Sequence, residues 1–326
     1  MAATETRRTS LLALAALLPG VGAGGLLCGE AQAAPAPEQA VVAVKYLDYQ
    51  DRQPGLQRTH VSAPSVLVQA PLSADWSLEA SAVSDTVSGA SPRFHTAISG
   101  ASRQSERRQA ADLTLRHHAP RSGWQLGAAA SSEHDYQSRT VSAGIERSSD
   151  DNNQTWFGSV AYGSDRIGSR LDPTLREHRR TWQGLAGFSR NLSSIDVVQL
   201  NLSLSHGEGF FDDPYKLLDH RPGHRDQGAL LLRWNHHFAS AGASLRSSYR
   251  YYADSFGVRA HALEAEWVQA LGERVRLSPS LRYASQRAAS FYLDPGADGS
   301  PFPPGWQAGA LGSVDQRLSG FGAITV

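Results

Sequence analysis

Val197-Val198-Gln199-Leu200-Asn201-Leu202-Ser203-Leu204-Ser205 decides how this chain is read. From Val198 onward the apolar residues Val198, Leu200, Leu202 and Leu204 alternate with Gln199, Asn201, Ser203 and Ser205. A period of two is that of a β-strand, whose successive side chains point to opposite faces of a sheet. One face of this strand can meet a core, a second sheet or lipid, while the other is hydrophilic throughout. The same pattern recurs at 41–50, 60–70, 76–83, 109–117, 124–132, 140–147 and 155–162. It continues at 181–192, 197–205, 229–238, 243–252, 261–269, 275–285 and 316–326, which makes fourteen expected strands. Strands at this spacing, with no helical periodicity between them, predict an all-β sandwich or barrel.

The connections choose between the two. Those at 71–75, 119–123, 148–154, 193–196, 239–242 and 271–274 are tight and polar, and Asp150-Asp151-Asn152-Asn153 is a turn signal. The alternate ones run longer, at 84–108, 163–180, 206–228 and 286–315. Short turns at one end and long loops at the other are the pattern of outer-membrane barrels, with the short end periplasmic. Trp76, Trp124 and Trp156 follow short turns, whereas Tyr46, Tyr49, Tyr162, Tyr249 and Tyr251 lie toward the long loops. Two aromatic bands match the two interfaces of a bilayer, although Trp182 fits this banding badly. The expected fold is an antiparallel transmembrane β-barrel with a polar lumen, so outer-membrane lipid is an expected partner.

Composition agrees with that reading. Hydrophobic content is 40% and mean hydropathy is −0.36, too polar for a helical membrane protein. Beyond residue 33 no apolar run approaches the roughly 20 residues a spanning helix needs. The 31 basic and 31 acidic residues cancel, which excludes the clustered basic surface of a nucleic-acid-binding domain. Arg7-Arg8, the apolar run 11–18 and Ala31-Gln32-Ala33 read as an export signal over residues 1–33. The single cysteine, Cys28, falls inside that leader, so residues 34–326, the expected barrel, have neither a disulfide nor a cysteine nucleophile.

Several stretches are similar to one bacterial family. They are Val42-Ala43-Val44-Lys45-Tyr46-Leu47-Asp48-Tyr49-Gln50-Asp51, Val87-Ser88-Gly89-Ala90-Ser91-Pro92 and Asp213-Pro214-Tyr215-Lys216-Leu217-Leu218-Asp219. Arg233-Trp234-Asn235-His236-His237-Phe238 and Arg287-Ala288-Ala289-Ser290-Phe291-Tyr292 belong with them. The chain resembles the domain of unknown function 3570 family, regarded as outer-membrane barrels. The resemblance implies a Gram-negative source and an envelope location, reached through the barrel-insertion machinery, and it carries over no catalytic residue. It also implies about sixteen strands and an aromatic C-terminal residue. This chain stops at Ile324-Thr325-Val326, so the barrel is expected to be incomplete at that end.

Inward parity places Arg233, Arg246, Arg250, Glu264, Glu266, Arg276 and Arg282 on the lumen face of consecutive strands, with Glu79 and Arg116 as a further pair. Such rows suit either a transverse field that guides charged solutes or an internal ion-pair ladder that stiffens the wall. In the loop after residue 83, Asp85, Ser88, Gly89, Ser91, Ser99, Gly100 and Ser102 suit a constriction folded into the lumen. Asp85, Ser88 or Ser91 and His95 also contain the residue types of a serine hydrolase. No Gly-x-Ser-x-Gly elbow accompanies them, and no enzyme is expected. His236 and His237 point to opposite faces, and no cysteine supports a zinc site. Asp212, Asp213 and Asp294 are oxygen ligands of the kind calcium uses, but acidic loop residues are more often simply solvated. Neither a metal nor a cofactor is expected. The expected function is passage of small polar or charged solutes; the alternatives are a scaffold barrel holding an envelope protein partner and a rim hydrolase.

Overall fold

The computed structural model describes residues 36–53, 56–89, 104–216, 218–272, 275–294, 306–307 and 309–326. The expected leader lies outside them. Every expected strand is present. The first nine are β1 (Val41–Gln53), β2 (Leu56–Pro71), β3 (Trp76–Gly89), β4 (Gln104–Ala119), β5 (Ser122–Ser132), β6 (Tyr136–Ser148), β7 (Gln154–Ile167), β8 (Glu177–Asn191) and β9 (Asp196–Gly209). A two-residue piece, β10 (Asp219–His220), precedes β11 (His224–Phe238), β12 (Ala243–Asp254) and β13 (Arg259–Leu271). The last are β14 (Val275–Leu277), β15 (Ser280–Arg287), β16 (Gly312–Ser313) and β17 (Phe321–Thr325). All but β10 and β16 form one 15-stranded sheet in which chain order is neighbour order. Its pairs are antiparallel throughout. The edge strands β1 and β17 are not bonded to each other.

Register shows the two faces directly. Phe188, Leu200, Leu232, Tyr249, Leu263, Tyr283 and Ile324 are successive Cα partners from β8 to β17. One residue along, the partners are Ser189, Gln199, Arg233, Ser248, Glu264, Arg282 and Thr325. The first row is wholly apolar or aromatic and the second wholly polar. Burial is inverted relative to a water-soluble domain: Leu202 is 44% exposed, while neighbouring Asn201 is 4% exposed. An exposed apolar face of this extent marks a surface that meets lipid or a partner.

The thirteenth expected strand is split into β14 and β15 by Ser278-Pro279. Proline has no N–H to give the ladder. The register nevertheless carries through, because the Trp267 N–H donates to the Pro279 carbonyl at 2.9 Å between the Gln269–Leu277 and Glu266–Ser280 partners. The fourteenth is shorter than expected, since Gln316–Leu318 is a 3-10 turn. At the long-loop end β3, β4, β7 and β8 run several residues further than expected. Apolar alternation stops where the wall leaves lipid, but the backbone ladder does not need it.

Aromatic side chains gather outward in two bands. At the short-turn end Trp76 meets Trp124 edge-on at 5.0 Å, and Trp156 lies 4.2 Å from Phe188. Trp234 and His236 both approach Asp196 Oδ1, at 3.0 and 2.7 Å. Trp182, misfit by sequence, lies 4.7 Å from Tyr162 and belongs to the long-loop band. Outward polarity is therefore tested by Leu202→Arg, which should destabilise the refolded protein in phospholipid vesicles by about 2–4 kcal/mol. Ser203→Arg, one residue along and inward, should lower it by less than about 1 kcal/mol in the same denaturant titration.

Candidate functional site

The inward face carries the expected charges, but few of them close into ion pairs. Arg246 and Glu266 are direct partners and approach to 3.3 Å with exposed side chains, a geometry worth about 0–1 kcal/mol. Arg233 donates to Gln199 Oε1 at 3.4 Å. Glu264 faces Arg282 in register, Arg250 lies opposite Leu231 and Ala262, and Arg276 lies opposite Ala270. Glu79 and Arg116 do not form the expected pair. Arg116 is the partner of Ser77 rather than of Glu79, one strand step out of register. Glu79 instead accepts from Gln69 at 2.6 Å, and Arg116 donates to Gln125 at 2.8 Å.

The expected constriction loop is also corrected. Asp85, Ser88 and Gly89 belong to β3, where they pair with Arg108, Ser105 and Gln104 of β4. Asp85 accepts from Arg108 Nε at 2.8 Å, and both side chains are largely shielded. The Asp85 carboxylate is thus engaged by an arginine of the neighbouring strand. Ser91, His95, Ser99, Gly100 and Ser102 lie outside the described residues.

Two further inward pairs lie on strand ends that run past the apolar alternation. Arg179 donates to Asp165 at 2.7 and 3.0 Å and to the Tyr136 hydroxyl at 3.2 Å. Arg225 donates to Asp254 at 2.5 and 3.1 Å and to the Tyr252 hydroxyl at 3.2 Å. Each guanidinium also covers a loop ring, Arg179 at 5.5 Å from the centre of Phe211 and Arg225 at 4.5 Å from that of Phe256. These rings place the loops against the inward side of the wall.

The loops concerned connect β9 to β11, β12 to β13, which carries Phe256 and Val258, and β15 to β17. Gly209, at φ +117°, turns the chain out of β9, and a Cβ there would lie 2.1 Å from the His178 carbonyl oxygen. The same loop then lays Phe211 over Gly207, where a side chain would collide with the ring. Phe256, Val258, Ala289, Phe291 and Leu318 form the buried apolar cluster, with Phe211, Tyr252 and Tyr292 packed against it. Beside it, β10 and β16 pair as a two-stranded sheet. An ionic cluster joins the loops: Asp315 meets Lys216 at 2.8 Å, Arg221 at 2.9 Å and Arg317 at 2.7 Å. Asp213 meets Lys216 and Arg317 at 3.4 Å, and Asp219 meets Arg221 at 2.8 Å. Asp212 is occupied as well, by His220 at 3.1 Å and the Arg221 N–H at 2.7 Å.

Two carboxylates of this cluster respond oppositely. Burial alone would raise Asp315, but hydrogen bonds from Arg317 and Lys216 outweigh it and hold this carboxyl well below the usual range. At Asp219 burial prevails over Arg221 and raises it.

A family model described as "Protein of unknown function (DUF3570)" matches residues 100–176 and 169–326. The chain belongs to that family. No curated protein matches it. Among solved structures, the siderophore receptor PirA from Pseudomonas aeruginosa is similar at 14% identity and a TM-score of 0.50, over 78% of this chain and 47% of that one. A mutant of the ferric enterobactin receptor PfeA from the same organism is similar at 13% identity and 0.49, over 78% and 45%. P. aeruginosa OccK11 (OpdR) is similar at 18% identity and 0.45, over 77% and 73%. The chain thus spans about half the length of the siderophore receptors it matches. What this chain shares with PirA is the fold, an antiparallel transmembrane β-barrel.

Two of the stretches that resemble the DUF3570 family, Asp213–Asp219 and Arg287–Tyr292, supply residues to the loop cluster. Asp315→Ala would remove the carboxylate that Lys216, Arg221 and Arg317 share, leaving Lys216 to Asp213 and Arg221 to Asp219, a loss of about 1.5–3 kcal/mol. Limited proteolysis at neutral pH should then cut between β15 and β17 in the variant and spare the parent. Because the Asp315 carboxyl is lowered from 3.8, its contribution is complete above that value and is lost as pH falls through the lower one. The parent should therefore still resist at about pH 5.

Proposed function

We propose that this outer-membrane barrel passes small polar or charged solutes through its interior, with the loop cluster narrowing the long-loop end. The observation that carries the reading is the wholly polar inward row from Ser189 to Thr325, whose arginines Arg233 and Arg282 are free of ion pairs among the described residues. A wall meant only to be rigid would set a carboxylate opposite each arginine, as at Arg246–Glu266 and Arg282–Glu264, whereas Arg233 faces Gln199 and Ser248 and Arg250 faces Leu231 and Ala262. The resulting mechanism is diffusion, biased by inward arginines and glutamates, through a width set by the packed loops.

A second reading has its own support. The loop cluster is the best-buried part of the described molecule, and a firmly held rim suits a scaffold barrel that holds an envelope partner.

Planar-bilayer recording of the full chain separates the two. Discrete conductance is expected, and the double variant Arg233→Glu, Arg250→Glu should move the reversal potential toward cation preference. A correctly folded protein that carries no current, together with a stable co-purifying partner, would overturn passage in favour of the scaffold.

A further inference from the structure

At the short-turn end of the wall the inward face carries a line of polar side chains that solute passage does not use. Ser77 on β3 and Arg116 on β4 are Cα partners, and His118 follows two residues after Arg116 on the same face. The Ser77 hydroxyl and His118 Nε2 are 2.7 Å apart, the reach that couples a nucleophile to its base. His118 is buried, at 8% exposure, whereas Ser77 is half-buried and open to the interior. A second inward pair, His237 Nδ1 and Ser244 Oγ at 3.0 Å, is exposed, and Ser244 lies opposite Val268.

A carboxylate completes the first pair. The partner of His118 on β5 is Gly123, and the partner of Gly123 on β6 is Glu146. Glycine leaves the space between imidazole and carboxylate clear. A Cβ on Gly123 would lie 3.0 Å from Glu146 Oε1, so the carboxylate leans over that glycine toward β4. The charges of His118 and Arg116 both act on it. Hydroxyl, imidazole and carboxylate therefore stand in order on β3, β4 and β6.

We infer that Ser77, His118 and Glu146 form an acyl-transfer site that hydrolyses short carboxylic esters at the short-turn end of the interior. Ser77 Oγ attacks the ester carbonyl carbon while its proton passes to His118 Nε2. The carbon–alkoxide bond then breaks, and the alcohol leaves with that proton while Ser77 stays acylated. Water next attacks the acyl carbon and gives a proton to His118. The bond to Ser77 Oγ breaks, Oγ takes that proton back, and the carboxylic acid is released. Glu146 is a positioning residue, which orients the imidazole and stabilises the imidazolium formed in each half. Arg116, beside Ser77, gives one N–H to Gln125 at 2.8 Å and has further donors for the oxyanion. The inward neighbours Glu79 and Thr114 are polar, so a short acyl group suits the site better than a fatty one. The inference rests on the inward face but not on solute passage, so a protein without conductance leaves it standing.

The test is labelling of the full chain in detergent by a small fluorophosphonate, with the modified peptide identified by mass spectrometry, alongside hydrolysis of 4-nitrophenyl acetate. A single label on Ser77 is expected, absent from Ser77→Ala and formed about a hundredfold more slowly in His118→Ala. Ser244→Ala should keep the parent rate. Glu146→Gln should lower kcat by about tenfold or more with KM little changed, and Glu146→Asp should recover part of the loss. Gly123→Ala, whose Cβ displaces the Glu146 carboxylate, should lower kcat in the same direction. Heat-modifiable gel mobility establishes folding for each variant. Labels spread over several serines at comparable rates, undiminished labelling of folded His118→Ala, or faster turnover of 4-nitrophenyl palmitate than of the acetate would each overturn the proposal.

Discussion

A backbone that crosses lipid has no water to satisfy its N–H and C=O groups, so each must find a partner within the protein. The long antiparallel ladder does this for the strands between β1 and β17, whose outer edges are not bonded to each other, and the remaining features follow from it. Once hydrogen bonding is settled by backbone alone, side chains are free to sort by face, which is how a chain with mean hydropathy of −0.36 presents a continuous apolar exterior. Pro279 shows how strong the constraint is. It removes one donor and splits a strand, yet the carbonyl still accepts from Trp267 and the register is unmoved.

The wall and the loops are held by different forces. In the wall, side-chain ion pairs are few among the described residues, and cross-strand backbone bonding dominates. Above it, buried rings join three connections, and a compact set of three carboxylates and three cations binds two of them that are remote in sequence. The inward pairs Asp165–Arg179 and Arg225–Asp254 join these regimes, because their guanidinium faces also carry Phe211 and Phe256. Any opening of the loops therefore disturbs inward wall residues directly.

The strands were legible because a period of two survives wherever one face meets lipid. The parity of Arg233, Arg246 and Glu264 was readable for the same reason. What was not legible depended on the end of that pattern. Beyond the aromatic band Ser164 and Arg166 look like loop, although they are strand, so the pairing of Asp165 with Arg179 is not legible. Trp182 became intelligible only opposite Tyr162. The loop cluster was hidden for another reason: Arg221 and Asp315 are 94 residues apart, and no local pattern announces that they meet. Only the motif stretches 213–219 and 287–292 hinted that these loops were more than solvated connections.

The central claim is that alternate residues of β9 face lipid and an aqueous interior. With Cys28, the one cysteine of the chain, replaced by serine, single cysteines placed successively from residue 199 to 204 can carry a fluorescent label in reconstituted vesicles. The account predicts that labels at 200, 202 and 204 are quenched by lipid-borne nitroxide, and those at 199, 201 and 203 by iodide in the water. Quenching without alternation, or leucine positions protected from both reagents, would contradict it.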